Sequence, residues 1–238
     1  MSLALAGRRA LVTGGTRGIG RAVVERLVAQ GAVVIATGTK QAEVPAGCEL
    51  RIVDFADRSA TEGFAADVET LKIDILVNNA GINRIAPFAE IASEDFDRVQ
   101  EVNVRAAFLL SRSVLSHMRK QKWGRIVSIT SIFGLVGREQ RASYSASKFA
   151  LDGMTVALAA EVAADGILAN CVAPGVIETD LTRQVLGEDG IAEVLTRVPM
   201  RRLGRPEEVA ALVVWLAGPE NTFISAQNIA IDGGYTRV

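Results

Sequence analysis

The segment Arg9-Ala-Leu-Val-Thr-Gly-Gly-Thr-Arg-Gly-Ile-Gly20 places a short apolar run directly before a glycine-rich turn. The run is typical of a buried β-strand, and the stretch from Gly18 to Gln30 has the apolar spacing of a helix. Glycines permit a tight turn and let a pyrophosphate approach backbone N–H groups at a helix N-terminus. The spacing Gly14-x-x-x-Gly18-x-Gly20 is not the GxGxxG fingerprint, so a plain strand-to-helix turn is the alternative. The nucleotide-binding residues predicted in this loop are Gly14, Gly15, Thr16, Arg17, Gly18, Ile19 and Gly20.

Outward from this segment, short apolar runs alternate with longer stretches of helical periodicity. Further strands are predicted at 32–37, 49–53, 73–77, 125–130, 167–172 and 227–231, and helices at 57–71, from Ser93 onward, at 143–165 and at 206–217. Ser93 is predicted to be the N-cap of its helix. This alternation favours a parallel sheet with helices on both faces. The sequence therefore predicts one α/β domain over residues 1–238, a Rossmann-type, doubly wound sheet of seven parallel strands.

Composition narrows the functional classes. The chain has 26 basic and 27 acidic residues, so no overall field favours nucleic acid or an acidic membrane. The longest apolar run, Val209–Ala217, is far shorter than the ~18 residues a membrane helix requires, and the start lacks the basic region of a signal peptide. Cys48, Cys171 and the single His117 have no metal-ligand spacing, and no serine-hydrolase GxSxG motif occurs. We expect a cytoplasmic protein without a metal, a nucleic-acid partner or a membrane partner.

Four polar or glycine-containing features follow predicted strands. They are the glycine loop, Asn78-Asn-Ala-Gly81, Ser131 and Pro174-Gly175. Ligands in parallel α/β sheets bind at the carboxyl ends of the strands. These features are therefore predicted to meet at one edge of the sheet.

Tyr144 and Lys148 lie four residues apart in a predicted helix, so they share a helix face. A free tyrosine titrates near pH ~10, too high for efficient proton exchange at neutral pH. An ammonium about 4 Å away would stabilise the phenolate by roughly 4 kcal/mol at an effective dielectric of ~20, which lowers the tyrosine pKa by up to about three units. The pair therefore predicts acid–base catalysis. The alternative is an incidental pair on a partly exposed helix.

The end of the second predicted strand indicates which dinucleotide binds. An acidic residue there would accept hydrogen bonds from the ribose hydroxyls and repel a 2′-phosphate. The chain instead has Thr37 and Thr39, with Lys40 adjacent and Arg17 in the glycine loop. This set favours NADP(H) over NAD(H). Asp54, after the third strand, is a candidate partner of the adenine amino group or a charge at a helix N-terminus.

The ordered motifs resemble the short-chain dehydrogenase/reductase family over essentially the whole chain. The matching residues are Thr13, the loop glycines, Asn78-Asn-Ala-Gly81, Asn103, Ser131, Tyr144, Lys148, Pro174-Gly175, Ile177, Thr179 and the terminal Asp232-Gly-Gly.

The resemblance implies a role for each of the catalytic positions. Tyr144 would exchange a proton with the substrate oxygen, and Ser131 would orient that oxygen. Lys148 would lower the tyrosine pKa and hold the nicotinamide ribose. Asn103 would anchor a water of the proton relay, unless it is only a core residue that kinks the helix. The resemblance also places Asn79, Ala80 and Gly81 against the adenosine side, and Ile177 and Thr179, after Pro174 and Gly175, beside the carboxamide.

The implied activity is hydride transfer between NADP(H) and a carbonyl or secondary alcohol, with tyrosine as the acid or base. Within the family, the chain is most similar to 3-oxoacyl-carrier-protein reductases and related bacterial carbonyl or polyol enzymes. Lys122 is basic as a carrier-protein contact would be, but Asp165 stands where an arginine is expected. An NAD-dependent sugar or polyol dehydrogenase is a further alternative. A non-catalytic dinucleotide-binding protein is disfavoured by the intact catalytic residues, and a methyltransferase by the missing acid after the second strand.

Two larger-scale expectations come from the same resemblance. Residues 180–200 would form a lid over a small-molecule substrate, although their apolar residues also fit the inner face of an amphipathic helix. A homo-tetramer would assemble through the long helices and the carboxyl-terminal strand.

Overall fold

Apolar strands and amphipathic helices alternate along the chain, as the hydrophobic periodicity requires. The computed structural model describes residues 3–238. The strands are β1 (Arg9–Val12), β2 (Val33–Gly38), β3 (Cys48–Ile52), β4 (Ile75–Asn78), β5 (Gly124–Ile129), β6 (Ile167–Pro174) and β7 (Asn228–Ile231). The α-helices are α1 (Gly18–Ala29), α2 (Arg58–Thr70), α3 (Ser93–Gln100), α4 (Ala106–Gln121), α5 (Ala142–Val162), α6 (Asp180–Arg197) and α7 (Pro206–Ala217).

All seven strands form one parallel sheet in the order β3-β2-β1-β4-β5-β6-β7. The chain winds outward from β1 in one direction and then from β4 in the other. Strand order therefore reverses between β1 and β4, and this reversal opens a crevice at the carboxyl edge where ligands of such sheets bind. The predicted doubly wound parallel sheet is confirmed.

Each face of the sheet has its own apolar core. On one face α1 and α7 pack together over the strands, with Leu27 and Val213 fully buried. On the other face α2, α4 and α5 cover the sheet, with Leu110 and Val162 fully buried. Each such side chain contributes about 1.5–3 kcal/mol relative to an exposed one. The two cores hold the carboxyl ends of the central strands in fixed positions.

The long helix predicted from Ser93 differs from the expectation in two ways. Ser93 is the first helical residue, and Ala92 occupies the N-cap without a side-chain hydrogen bond, so the predicted cap is wrong. A π-helical turn at Glu101–Arg105 separates α3 from α4. π-turns insert an extra residue into an α-helix and are frequent at functional sites. This turn contains Asn103.

None of the helices within residues 3–238 is long and apolar enough to cross a membrane. In the same part of the chain, no cluster of three or more histidine, cysteine, aspartate or glutamate side chains is arranged to hold a metal ion.

Candidate active site

Hydrogen bonds with residues at the ends of β2 and β4 hold the glycine loop in place. The amide of Gly14 donates to Oγ1 of Thr37 at 3.1 Å, and the amide of Gly15 donates to the Thr37 carbonyl at 2.9 Å. From the other side, Nδ2 of Asn79 donates to the carbonyls of Thr13 (2.9 Å) and Gly14 (3.0 Å). Gly14 has a φ of +63°, a conformation that favours glycine. These contacts fix the path of the loop before any ligand binds.

The same loop leaves the N-terminus of α1 open to an anion. A Cβ at Gly20 would clash with the carbonyl oxygen of Gly14, so the loop lies directly against the first turn of the helix. Arg17, the N-cap, makes no side-chain cap, and the first turn of α1 contains no acidic residue. Free N–H groups and the positive end of the helix dipole favour a diphosphate at this position. A dinucleotide therefore fits the loop.

Thr37 does not have the predicted role. Its side chain is 1% exposed and is occupied as the acceptor for Gly14, so it cannot reach a ribose phosphate. The strand extends one residue further than expected, to Gly38, which turns the chain so that Thr39 and Lys40 are the exposed residues. That Thr39 and Lys40, together with the exposed Arg17, contact the adenosine ribose stays a prediction.

Two roles were considered for Asp54, a contact with adenine and a charge at a helix N-terminus, and the second belongs to Asp57. Asp57 is the N-cap of α2, and its carboxylate accepts from the amide of Ala60 at 3.1 Å. Asp54 is exposed, and its Oδ1 accepts from the amide of Ala56 at 3.0 Å. The helix-terminal charge is thus supplied by Asp57. Contact between Asp54 and adenine stays a prediction.

Ser131 and Tyr144 meet just beyond β5. Ser131 is buried, and its Oγ accepts from the amide of Phe133 at 3.1 Å, which fixes the serine side chain. Tyr144 lies in the first turn of α5, and its hydroxyl group lies near the Ser131 side chain. Burial raises the pKa of Tyr144, while the Ser131 side chain and the charge of Arg141 oppose the rise. The lowered tyrosine pKa predicted from the sequence is therefore wrong for this structure.

The surroundings of Lys148 explain why the predicted lowering of the Tyr144 pKa does not occur. Its ammonium is buried, lies 5.4 Å from the centroid of the Tyr144 ring, and donates to the carbonyl of Ile129 at 2.8 Å. Burial lowers the pKa of Lys148 to about 8. Desolvation is the largest influence on the pKa of each side chain, and it penalises the charged form of both. A Cβ at Gly81 would lie 3.5 Å from Nζ, so the loop after β4 also reaches this lysine.

Asn103 joins the loop after β4 to the helix that bears Tyr144. Its Oδ1 accepts from the amide of Ile82 at 2.8 Å, and its Nδ2 donates to the Ile82 carbonyl (2.9 Å) and to Oγ of Ser147 (2.9 Å). Ser147 in turn donates to the carbonyl of Tyr144 at 2.7 Å. A helix irregularity at Asn103 does occur, as the alternative interpretation expected. The role of Asn103 as a water anchor stays a prediction.

The segment after β6 closes the other side of the crevice. Gly175, directly after Pro174, packs so tightly that a Cβ there would lie 2.8 Å from the Cα of Asp232. Ile177 forms an isolated parallel bridge with Gly204. Thr179 caps α6 by accepting from the amide of Thr182 at 3.2 Å, and a Cβ at Gly18 would contact Thr179 at 3.3 Å. The glycine loop and the segment after β6 are thus neighbours.

Apart from the buried Thr37, and from Asn103 in the π-turn between α3 and α4, the predicted residues lie at the carboxyl ends of strands or on the loops and helix starts that follow them. Sequence reasoning assigned no role to two supporting residues. Oγ1 of Thr13 accepts from the amides of Asn79 and Ala80, each at 2.9 Å, and Ser147 links Asn103 to Tyr144. The spacing of Ser147, three residues after Tyr144, was a signal for a shared helix face. The hydrogen bonds themselves depend on the fold.

Comparison with known proteins gives consistent results. The family model described as enoyl-(acyl carrier protein) reductase matches residues 14–236. The 3-oxoacyl-[acyl-carrier-protein] reductase FabG of Vibrio harveyi is 39% identical over 240 residues, which cover 97% of this chain and 98% of that protein.

Solved structures extend the comparison. A proposed NAD(P)-dependent gluconate 5-dehydrogenase from Beutenbergia cavernae, with bound NADP, is similar with a TM-score of 0.93 at 35% identity, covering 100% of both chains. A short chain dehydrogenase/reductase family protein is similar with a TM-score of 0.91 at 34% identity, covering 99% of this chain and 100% of that one.

Proposed function

Because the chain belongs to the short-chain dehydrogenase/reductase family, we propose that it is an NADP(H)-dependent oxidoreductase that interconverts a carbonyl compound and a secondary alcohol. The family resemblance predicted from the motifs is confirmed by the matches over nearly the whole chain. One observation carries the proposal. Ser131, Tyr144 and Lys148 are grouped after β5, at the same edge of the sheet as the glycine loop.

The chain's own residues account for the proton and for the orientation of the substrate. A bound nicotinamide dinucleotide supplies the hydride that adds to the carbonyl carbon. Ser131 holds the carbonyl oxygen beside the phenol, and Tyr144 donates its proton to that oxygen to give the alcohol. Because burial raises the pKa of Tyr144, the phenol is protonated at neutral pH, as an acid in the reductive direction must be. In oxidation Tyr144 takes the proton back.

Lys148 supports the reaction by holding the ligand. An ammonium has three donors, and the Ile129 carbonyl accepts from only one of them at 2.8 Å. We assign the remaining donors to the ribose hydroxyls next to the nicotinamide. Asn103 keeps the loop after β4 and the start of α5 in register, and we retain its proposed role in the proton relay.

NADP(H) is the preferred cofactor. The proposed gluconate 5-dehydrogenase, which is similar over the whole chain, was solved with NADP. In this chain Arg17, Thr39 and Lys40 are exposed where the adenosine ribose would lie, and no acid stands at the end of β2. Cations and hydroxyl donors stabilise a 2′-phosphate, whereas a carboxylate would repel it.

Thr39→Asp is therefore expected to weaken NADPH binding about 10-fold or more relative to NADH, because a carboxylate would face the 2′-phosphate. Fluorescence titration of both cofactors measures the change. Thr37→Asp is the matched control, since it adds the same charge beneath the loop. It is expected to lower the melting temperature rather than to switch the preference. Unchanged NADPH selectivity in Thr39→Asp would show that the phosphate is recognised elsewhere.

The substrate class has two candidates from the relatives. The Vibrio harveyi relative is a 3-oxoacyl-carrier-protein reductase. In this chain, however, Asp165 forms ion pairs with Lys122 (2.7 Å) and Arg119 (3.1 Å), at the amino ends of β5 and β6. These pairs reduce the positive charge available to an acidic carrier protein. We therefore favour a small-molecule carbonyl substrate over an acyl carrier protein.

The proposed activity is tested by following NADPH consumption with a panel of keto esters, keto acids and aldehydes, and by identifying the alcohol formed. The wild type should reduce at least one compound of the panel, with alcohol and NADP formed in equal amounts. NADPH binding without any turnover, on this panel and on acyl thioesters, would contradict the proposed reaction.

Residues 180–200 are proposed to be a substrate lid within a single domain formed by residues 1–238. α6 is interrupted at Gly187, which has φ 63° and ψ −175° and divides the helix into two parts. Val194 is buried on the second part, whereas Val185 on the first part is 46% exposed. The first part thus has few contacts to hold it closed, and Gly187 provides a hinge.

We also propose that the chain forms a homo-tetramer. Phe108 on α4 and Phe149 and Val156 on α5 are each nearly half exposed, and Trp215 on α7 and Phe223, in the segment before the edge strand β7, are exposed as well. Exposed apolar groups of this size favour burial against a second copy of the same surface. A cytoplasmic location also stays a prediction.

The double variant Phe108→Glu, Phe149→Glu is expected to sediment as a species about half the mass of the wild type or smaller, because charges would be buried in the interface. Analytical ultracentrifugation measures the mass. Phe88→Glu is the control, since Phe88 is 83% exposed and lies outside α4 and α5. A wild-type chain that sediments as a monomer would contradict the proposed assembly.

A further inference from the structure

Arg141 is a buried arginine without a protein partner. The residue is 8% exposed, and within residues 3–238 its guanidinium forms no ion pair and donates no hydrogen bond to another residue, while its nitrogens are not among the fully buried atoms and so stay accessible to solvent or a ligand. Arg125, which is similarly buried, donates to the carbonyls of Gly124, Gly166 and Asn221 at 2.8–3.3 Å. Leaving a buried cation unpaired is strongly unfavourable, so proteins ordinarily provide partners as they do for Arg125. The missing partner of Arg141 points to a ligand.

Arg141 lies next to the reacting groups. It is the N-cap residue of α5, three positions before Tyr144, and its charge acts on the Tyr144 phenol. Its guanidinium carbon is 6.0 Å from the centroid of the Phe133 ring. The amide of Phe133 is the group that donates to Ser131. Arg141 is therefore placed beside both residues that would hold the substrate oxygen.

A second cation adjoins the first. The guanidinium carbon of Arg138 is 5.7 Å from the centroid of the same Phe133 ring, and Arg138 also has no acidic partner among the described residues. The first turn of α5 contains no acidic residue, and the positive end of the α5 dipole lies at this N-terminus, beside Arg141. Burial and the charge of Arg138 both lower the pKa of Arg141. Two cations and a helix N-terminus thus share one region, and among residues 3–238 neither cation forms an ion pair, not even with the neighbouring Glu139.

We propose that Arg141, assisted by Arg138, binds the carboxylate of the substrate, so that the enzyme acts on keto acids and the corresponding hydroxy acids. A guanidinium matches a carboxylate through two parallel hydrogen bonds and keeps its charge when buried. A carboxylate bound there would neutralise the charges that the protein leaves uncompensated. The inference rests on the proposed oxidoreductase function and specifies its substrate class.

The test compares three keto acids with their methyl esters. The acids are acetoacetate, levulinate and 5-oxohexanoate, in which one, two or three methylene groups separate the keto carbon from the carboxylate. We expect the wild type to prefer at least one acid over its ester in kcat/KM. Arg141→Gln should lower kcat/KM for that acid by about 10–100-fold, as expected for the loss of hydrogen bonds to a charged group, and should change the ester by less than about threefold. Arg141→Lys should recover part of the loss.

Arg26→Gln is the matched control, because it removes one positive charge from an exposed site at the far end of α1. It should leave the acid-to-ester ratio unchanged. Equal reduction of acids and esters by the wild type, or an equal loss for both in Arg141→Gln, would overturn the carboxylate assignment while the proposed reaction stands.

A binding measurement separates failure of this inference from failure of the proposed function. The melting temperature of the NADPH-saturated protein is measured with each keto acid and with each ester at constant ionic strength. A bound ligand raises the melting temperature. A rise with an acid in the wild type but not in Arg141→Gln supports the carboxylate site even if nothing is turned over. No rise with any acid, together with no turnover of any acid, overturns the inference.

Discussion

Tyr144→Phe is expected to lower kcat for carbonyl reduction by about 10³-fold, within the range that general acids contribute, while NADPH affinity stays within about twofold. The substitution removes only the hydroxyl group, which lies near Ser131, and keeps the ring at the start of α5. Steady-state kinetics with NADPH and a reducible carbonyl compound measure the loss, and fluorescence titration measures the affinity.

Tyr235→Phe is the matched control, because Tyr235 is the other of the two tyrosines in the chain and lies in the carboxyl-terminal turn. It should leave kcat within about twofold of the wild type. A Tyr144→Phe enzyme that retains its kcat would remove Tyr144 as the proton donor and would leave Ser131 without its proposed partner.

Lys148→Met is expected to lower turnover by about 10²-fold or more and at the same time to stabilise the fold. The pKa of Lys148 falls from an ordinary value of 10.5 to about 8 because the ammonium is buried. At ~1.4 kcal/mol per pKa unit this burial destabilises the folded state by about 3 kcal/mol, and the hydrogen bond that is lost to Ile129 offsets roughly 1 kcal/mol. The net gain in the free energy of unfolding at neutral pH is about 2 kcal/mol.

The sign of the pH dependence follows from the lowered pKa of Lys148. Below pH 8 the folded and unfolded proteins both carry the ammonium, and the full burial penalty is present. Between about 8 and 10.5 the folded lysine has lost its proton while the unfolded one retains it, so the penalty declines as the pH rises. Urea unfolding should show a smaller stability gain for Lys148→Met at pH 10 than at pH 7.

Lys120→Met serves as the control, because Lys120 is exposed on α4 and its removal should change neither turnover nor the pH dependence of stability. A Lys148→Met variant that is less stable than the wild type at pH 7 would show that the buried ammonium is compensated by the protein. A variant with full turnover and full NADPH affinity would exclude Lys148 from the site.

The sheet and the position of the site were predictable because they depend on periodicity and on strand ends. Apolar runs alternating with helical stretches require buried parallel strands, and the residues after those strands must then meet at one edge. The misplaced Ser93 cap and the π-turn at Asn103 were not predictable in this way. The π-turn accompanies a contact between the Asn103 side chain and the backbone of Ile82 in a distant loop, and periodicity carries no information about such a contact.

The electrostatic predictions failed where they depended on burial. The spacing of Tyr144 and Lys148 correctly indicates a shared helix face, but the direction of the tyrosine pKa depends on how much water reaches the pair. Thr37 was misassigned for a related reason. Whether the last side chains of a strand face a ligand or the neighbouring glycine loop depends on where the strand ends. The importance of Arg141 becomes visible only when the absence of a partner can be seen in three dimensions.

The most decisive experiment is a fluorescence titration of the purified wild-type protein with NADPH and with NADH, since it requires no knowledge of the substrate. Binding of both cofactors, with NADPH at least about 10-fold tighter, is the predicted result, because the glycine loop fits the diphosphate and Arg17, Thr39 and Lys40 favour the 2′-phosphate. Tighter binding of NADH would reverse the cofactor preference and keep the oxidoreductase function. Binding of neither cofactor would contradict the proposed function.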